Sequence, residues 1–133
     1  MDRPFYIDGD EYTTRLGMVD VEELKFDIEA RTDLQKCKDQ TEAYKKIIND
    51  PLTLELATRI LMDGAINDSL FVRKGQEKKE LLVFNGCRRL AVLKHLFKNG
   101  DKRINLRKVP VQLFLNADKE FVKKILSLKL VPK

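Results

Sequence analysis

Residues 80–98, ELLVFNGCRRLAVLKHLFK, predict a buried strand that passes through a glycine directly into a helix. The apolar run at 81–84 is typical of a strand that is covered on both faces. Beyond Gly86 the apolar side chains recur at helical spacing, and Asn99-Gly100 is a signal for the end of a helix. The chain therefore contains at least one sheet strand and one helix that are joined by a sharp turn at Gly86.

The segments on either side of this junction alternate between helix and strand patterns, which predicts one α+β domain. Helices are expected at 41–50, capped by Thr41, at 52–63, ended by Gly64, and at 117–129. The expected apolar faces of the last two are formed by Leu52, Leu56, Ile60 and Leu61, and by Phe121, Ile125 and Leu128. Further strands are expected at 19–24, 70–74 and 109–115, where Pro110 indicates an edge or strand-start position. The remaining segments are predicted as an irregular, extended arm at 1–15, a polar loop at 30–39 and a basic loop at 101–108.

The composition excludes several classes of protein. With 133 residues, 43% hydrophobic and 35% charged, the chain fits one ordinary globular domain, which we place at 16–133. No apolar run reaches the roughly 20 residues of a membrane-spanning helix, and the N-terminus lacks the apolar core of a secretory signal. Two cysteines and one histidine make neither a disulfide framework nor a multi-histidine metal site, and we assign no metal ligands. A cytoplasmic setting is expected, and the uncapped C-terminal sequence suggests an additional domain or a homodimer.

The charge is distributed unevenly along the chain. Residues 1–85 carry 13 basic and 18 acidic side chains, whereas residues 86–133 carry 13 basic and 3 acidic ones. Such asymmetry indicates an anionic partner for the C-terminal half, or a solvated lysine-rich surface. If the partner is DNA, the backbone-contacting residues are expected to be Lys98, Lys102, Arg103, Arg107 and Lys108.

The strand-glycine-helix junction is the candidate binding site. The first N–H groups of a helix have no helical partner, and the helix dipole favours an anion beside them. Gly86 permits a close approach to the backbone, and Arg88 and Arg89 supply charge where cations are otherwise unfavourable. Either these arginines hold a phosphate, or they pair with carboxylates of the acidic half such as Asp27 or Glu29.

The ordered set of motifs resembles the ParB/sulfiredoxin superfamily over residues 19–115. Gly86-Cys87-Arg88-Arg89-Leu90-Ala91 is similar to the G-x-R-R box of that family. Val19–Leu24, followed by Phe26-Asp27 and Arg31, looks like its opening strand and arginine-bearing turn. Ala57, Ile60, Asp63 and Gly64 look like its A-x-x-I-x-x-x-G helix end.

This resemblance implies a small mixed sheet flanked by helices, with an NTP (ATP or CTP) and Mg²⁺ bound at the G-x-R-R box. Gly86, Arg88 and Arg89 would hold phosphate, with Asn85 and Arg31 in support, while Asp27 and Glu29 are candidate metal-binding or general-base carboxylates. Members of the superfamily include DNA-partition clamps, nuclease-type modules, NTPases, small-molecule kinases and sulfiredoxins. We therefore expect an NTP-binding domain in a DNA-associated process, and keep as alternatives an ATP-dependent phosphotransferase or sulfiredoxin-like enzyme and a degenerate interaction module.

Cys87 is the candidate nucleophile of the sulfiredoxin-like alternative. A helix N-terminus and neighbouring arginines both lower the pKa of a thiol. Sulfiredoxins carry a G-C-H-R box, which here reads Gly86-Cys87-Arg88-Arg89, with arginine in place of histidine. The other interpretation is a small residue packed beneath the sheet. His95 is expected to be an ordinary helix residue. The aromatic residues of the arm, which either stack on bases or fold back onto the domain, are Phe5, Tyr6 and Tyr12.

Overall fold

A six-stranded mixed sheet forms the centre of the protein, according to a computed structural model that describes residues 2–7, 9–77 and 79–128. The strands are β1 (Asp2–Ile7), β2 (Asp10–Asp20), β3 (Leu24–Phe26), β4 (Leu70–Lys74), β5 (Leu81–Asn85) and β6 (Lys108–Phe114). Their order across the sheet is β1-β2-β6-β4-β5-β3. The pairs β6–β4 and β5–β3 are parallel and the other three are antiparallel. The prediction of an α+β fold with a mixed sheet is confirmed.

In the described residues, five helices accompany the sheet: α1 (Gln40–Ile48), α2 (Pro51–Asp63), α3 (Cys87–Lys98), α4 (Ile104–Arg107) and α5 (Lys119–Leu128). Within the described part of the chain, none of them is long and apolar enough to cross a bilayer. Asp39 caps α1 by accepting the backbone N–H of Glu42, so the cap lies two residues before the predicted Thr41. Pro51 is the first residue of α2, where its missing N–H costs nothing.

Alternation along the strands divides the core between the two faces of the sheet. One cluster contains Val72 and Val83 together with Leu90 and Leu93 of α3. The other contains Phe84 and Phe114 and the side of α5 that carries Phe121, Val122 and Ile125. Because β5 contributes to both clusters, the uninterrupted apolar run at 81–84 has the physical cause that the sequence predicted. The side chain of Leu128, also placed on this face of the last helix, lies outside the described residues.

The N-terminal segment differs from its prediction. Residues 2–7 and 10–20 form a β-hairpin at one edge of the sheet rather than an irregular arm, and Asp2 to Ile7 pair with Arg15 to Asp10. Phe5 packs edge-on against Phe114, with ring centroids 5.1 Å apart, and Tyr12 stacks on Phe121 at 4.3 Å. These two aromatic residues therefore fold back onto the domain, whereas Tyr6 is exposed.

The strand predicted at 19–24 is interrupted. The strand β2 continues to Asp20, a single 3₁₀ turn follows at Val21–Glu23, and β3 begins at Leu24. The side chain of Asp20 accepts the N–H of Glu22 and so starts the turn. This interruption lets the chain leave β2 and join the far edge of the sheet beside β5.

Three smaller expectations also need correction. Leu52 and Leu61 of α2 are exposed, and the side chains that α2 buries are Thr53 and Ile60. The strand β6 lies inside the sheet, so Pro110 does not mark an edge; it stands near the strand start, one residue before β4 begins to pair at Val111. The segment 101–108 is not wholly a loop, because it contains α4.

Candidate functional site

The junction between β5 and α3 has the geometry that the sequence predicted. Gly86 precedes α3 with φ 94° and ψ 23°, in the left-handed region, and no side chain caps the helix. The first bond of α3 runs from the N–H of Leu90 to the carbonyl oxygen of Gly86, at 2.9 Å. The N–H groups of the three residues between them therefore precede the helical ladder and form a positive end of the helix dipole.

Gly86 also has a packing role that the sequence did not show. A Cβ atom at this position would lie 2.5 Å from Cδ2 of the Leu70 side chain and 3.1 Å from a terminal nitrogen of Arg89. Glycine is thus required both by the backbone conformation and by the closeness of β4 to the start of α3.

A cleft of about 760 Å³ opens over the N-terminus of α3. It brings together all five residues that were predicted to contact phosphate: Arg31, Asn85, Gly86, Arg88 and Arg89. Its other walls come from the turn after β3, the α1–α2 junction and the outer side of α5. Elements far apart in sequence therefore meet at the predicted site.

Arg31 is the most firmly held cation of the cleft. Its NH1 group donates to the carbonyl oxygen of Phe84 at 2.9 Å, and its Nε and NH2 groups donate to the two carboxylate oxygens of Asp33 at 3.0 and 2.9 Å. Burial disfavours its charge, but the interactions with Asp33 and Cys87 together outweigh burial and raise the pKa of Arg31. These three bonds use three of its five N–H donors, so two remain for a ligand or a neighbouring side chain.

Arg88 and Arg89 contact acidic residues of the N-terminal half, although not the two that the sequence suggested. Arg88 is half-exposed and lies 3.5 Å from a carboxylate oxygen of Asp50, the N-cap of α2. Arg89 donates to the backbone carbonyl of Asp68 at 3.1 Å, and burial lowers its pKa. The contacts of Arg88 are long, so its guanidinium is the more easily redirected of the two.

Asp27 is not the exposed carboxylate that was expected beside the phosphate site. It is fully buried, and its two oxygens accept from Nε and NH2 of Arg73 at 2.6 and 2.9 Å. One of them also accepts the N–H of Ala30 at 3.2 Å. Asp27 therefore holds the turn that leads to Arg31, and it does not line the cleft.

Glu29 lies outside the cleft as well. Its carboxylate is half-exposed and stands 3.9 Å from both Arg73 and Lys119. It forms the surface end of the same ion-pair cluster. The carboxylates that do line the cleft, Asp33 and Asp50, were not singled out from the sequence, because nothing local distinguishes them from other polar loop residues.

Of the two interpretations of Cys87 that the sequence left open, the structure does not favour the activated thiolate. The side chain is buried, its Sγ donates to the carbonyl oxygen of Val83 at 3.2 Å, and burial raises its pKa to about 12 despite the charge of Arg31. Desolvation is stronger here than the helix dipole and the arginines, so the thiol stays protonated. The structure favours the other interpretation, a small residue packed beneath the sheet. His95, as expected, is an exposed helix residue, and its Nδ1 lies 3.1 Å from the hydroxyl of Tyr44.

Lys123 is a cleft residue that the sequence analysis missed. It lies on α5, which was recognised only as an amphipathic helix, and it lines the cleft together with Leu126 and Ser127. The sequence alone does not distinguish a lysine that faces a binding cleft from any other lysine on the polar side of an amphipathic helix. With the three arginines, it brings the cationic side chains of the cleft wall to four, against two carboxylates.

The predicted DNA-contacting residues are mostly engaged with other side chains. Arg103 binds Asp101 at 2.7 Å, and Arg107 and Lys108 lie 3.1 and 3.6 Å from Asp20. Lys98 stands over the ring of Tyr44, 4.8 Å from its centroid, and Lys102 is exposed. None of the five lines the cleft over the N-terminus of α3, so they lie apart from the candidate phosphate site.

Comparison with protein-family models gave no match to this chain, and a search of curated proteins gave none either. The interpretation of the site therefore rests on its geometry and chemistry.

Proposed function

We propose that this chain is an NTP-binding domain of ParB/sulfiredoxin-like type that acts in a DNA-associated process and holds the nucleotide phosphates at the N-terminus of α3. The observation that carries the proposal is the convergence of Arg31, Arg88 and Arg89 on the uncapped start of α3, inside one cleft. Backbone N–H groups and guanidinium groups are the donors that phosphate oxygens prefer.

The size and charge of the cleft support a nucleotide rather than a simple anion. Its volume of about 760 Å³ lies within the range of roughly 300–1,000 Å³ that is usual for small-molecule sites. The cations lie around Gly86, and the wall also contains Ile47, Leu56 and Leu126, which offer apolar surface to a base or a ribose. A site for inorganic phosphate alone would need no such apolar wall.

The carboxylates of the cleft fit a Mg²⁺ ion that arrives with the triphosphate. Mg²⁺ in such sites keeps several waters and takes one or two carboxylates in addition to phosphate oxygens. Asp50 is the better placed of the two candidates, because one of its oxygens caps Leu52 while the other has only the long contact with Arg88. Mg²⁺ would neutralise phosphate charge, and Asp50 would hold it at the mouth of the cleft. The described residues contain no separate cluster of three or more metal-binding side chains.

The sulfiredoxin-like alternative is poorly supported. That chemistry needs an accessible thiolate, whereas Cys87 is buried with a pKa raised to about 12. In an interaction module without a ligand, the three arginines would serve only their contacts with Asp33, Asp50 and Asp68. Nucleotide binding would also use the uncapped start of α3 and the two donors of Arg31 that these contacts leave.

Isothermal titration of the purified protein with ATP, CTP, GTP and ADP, each with Mg²⁺, tests the proposal. We expect saturable binding of at least one triphosphate, with the preference for the base identifying the nucleotide. Charge-assisted hydrogen bonds contribute about 1.5–3 kcal/mol each, so Arg88→Ala combined with Arg89→Ala should weaken binding by roughly a hundredfold or more.

Arg15→Ala combined with Arg107→Ala is the matched control. These arginines are also paired with aspartates, at 2.9 and 3.1 Å, but lie outside the cleft, so the double variant loses the same net charge. It should bind nucleotide as the wild type does. Equal weakening in both double variants would mean that the nucleotide is held only by general electrostatic attraction and not at the cleft. The absence of saturable binding for every nucleotide would refute the proposal.

A further inference from the structure

A second cleft, of about 570 Å³, lies at the opposite end of α3 from Gly86. It is bounded by the 3₁₀ turn Val21–Glu23, the strand β3, the start of α1 and the C-terminal half of α3. It shares no lining residue with the cleft at Gly86. The two sites can therefore be tested separately.

Three lysines stand around this second cleft: Lys25, Lys94 and Lys98. Lys25 has a carboxylate partner, Glu80, at 3.4 Å. In the part of the chain that the structure describes, neither Lys94 nor Lys98 forms an ion pair with a carboxylate; Lys94 donates to the backbone carbonyl of Val21 at 3.3 Å, and Lys98 lies over the Tyr44 ring. The positive charge at this cleft is thus incompletely neutralised.

Burial and neighbouring positive charges act on the ammonium group of Lys94. The side chain is half-buried, and its pKa is lowered by burial and by the neighbouring charges of Lys98 and Lys25, against which Glu22 acts only in part. A negative group beside its ammonium would remove this repulsion. Because the lysines lie around the cleft, an anionic group that entered the cleft would stand beside their ammonium groups.

The floor of the cleft is apolar. Val21, Leu24 and Phe26 form one side, all at most 1% exposed, and Phe97 forms the other. The first three side chains are already shielded from water, so the apolar surface that a ligand can cover belongs to the half-buried rings of Tyr44 and Phe97. A bare ion such as phosphate would leave these rings in water, whereas an aliphatic chain would cover them.

We propose that this cleft binds a small organic anion with an apolar body, of the alkanoate class, whose carboxylate lies between Lys94 and Lys98 and whose chain covers the rings of Tyr44 and Phe97. The hydroxyl of Thr41, in the first turn of α1, offers a further donor at the same opening. The proposal is independent of nucleotide binding at α3.

Titration of ¹⁵N-labelled protein with acetate, butanoate, hexanoate and 1-hexanol at constant ionic strength, followed by amide chemical shifts, tests it. We expect saturable shifts in residues 21–26 and 94–98, and a Kd that falls about fourfold for each added methylene group until the cleft is filled. Lys94→Gln should weaken hexanoate binding by about tenfold or more, because a charged hydrogen bond is lost. The same change should leave the neutral 1-hexanol unaffected.

Lys45→Gln is the control, since Lys45 is an exposed lysine of α1 that does not line the cleft. It should bind hexanoate as the wild type does. A Kd independent of chain length, equal effects of Lys94→Gln and Lys45→Gln, or 1-hexanol binding as tightly as hexanoate would each overturn the proposal. If Lys94→Gln loses the dispersed spectrum of a folded protein, Lys98→Gln replaces it, because its side chain reaches the same opening and carries the same expectation.

Discussion

Replacement of Gly86 by alanine should cost more stability than the same change at any other left-handed glycine of the chain that the structure describes. Gly86 and Gly100 stand at the two ends of α3 with φ of 94° and 85°, so alanine is strained at both, by about 1–2 kcal/mol. At Gly100 the added Cβ meets nothing within 4 Å, whereas at Gly86 it lies 2.5 Å from Leu70. Forcing a methyl group into such packing adds about 1–3 kcal/mol. We therefore expect Gly86→Ala to lose about 2–5 kcal/mol and Gly100→Ala about 1–2 kcal/mol.

Urea unfolding of the wild type and the two variants, followed by circular dichroism, measures this difference directly. Equal losses in both variants would refute the reasoning, because they would mean that only the backbone conformation requires glycine at position 86. The added Cβ would also lie 3.1 Å from a terminal nitrogen of Arg89. A loss of nucleotide binding in Gly86→Ala is therefore expected through displacement of Arg89 and does not by itself identify a contact between the glycine and a ligand.

The buried ion pair, the buried thiol and the basic surface each give a further prediction. Arg73→Met leaves the buried carboxylate of Asp27 without its partner and should destabilise the protein by about 3–5 kcal/mol in urea unfolding, with part of the loss recovered when Asp27→Leu is added. Because the pKa of Cys87 is raised to about 12 from its ordinary 9.0, the unfolded thiol ionises first, so this contribution to stability is present below pH 9 and lost between pH 9 and 12; Cys87→Ala should show a smaller decline from pH 8 to 10.5. If the protein binds DNA through its basic surface, a triple alanine variant of that surface should flatten the plot of log K against log salt concentration, measured by anisotropy of a labelled duplex. We expect the slope to fall by about 1, rather than by the roughly 3 that three free cations would give, because two of the three residues have aspartate partners. An unchanged slope would contradict this. The three substituted residues are Lys102, Arg103 and Arg107.

The elements that were predicted correctly are those whose cause is local. Three local patterns were sufficient to predict their conformation. An uninterrupted apolar run at 81–84 indicates a strand buried on both faces, the glycine at 86 indicates a positive φ, and the apolar spacing of α3 indicates an amphipathic helix. The hairpin β1–β2 has no such pattern. Most of its residues are exposed, and β2 is held by pairing with β6, about ninety residues later in the chain.

The same distinction explains which site residues could be predicted. The cations at 88 and 89 were identified because arginines are out of place at a helix N-terminus. The role of Asp27 could not be identified in this way, because its partner Arg73 is 46 residues away and is brought beside it only by the assembled sheet. The two interpretations of Cys87 could not be decided from the sequence for a related reason: the dipole and the arginines are visible in the sequence, whereas the depth of burial that outweighs them is not.

The three arginines of the cleft do not have equal capacity for a phosphate, and their ranking differs from the one that the motif suggested. Arg31 was expected only to support the G-x-R-R box, yet it is already oriented by Phe84 and Asp33 and would lose little rotamer entropy on binding. Arg88 is half-exposed and must give up its freedom and its 3.5 Å interaction with Asp50. Ordering a side chain and breaking its existing ion pair both subtract from the free energy of binding, so in the proposed complex the preorganised Arg31 would contribute more per hydrogen bond than Arg88 would. The buried Asp27–Arg73 pair, which holds the turn before Arg31, would therefore support the proposed phosphate site without touching it.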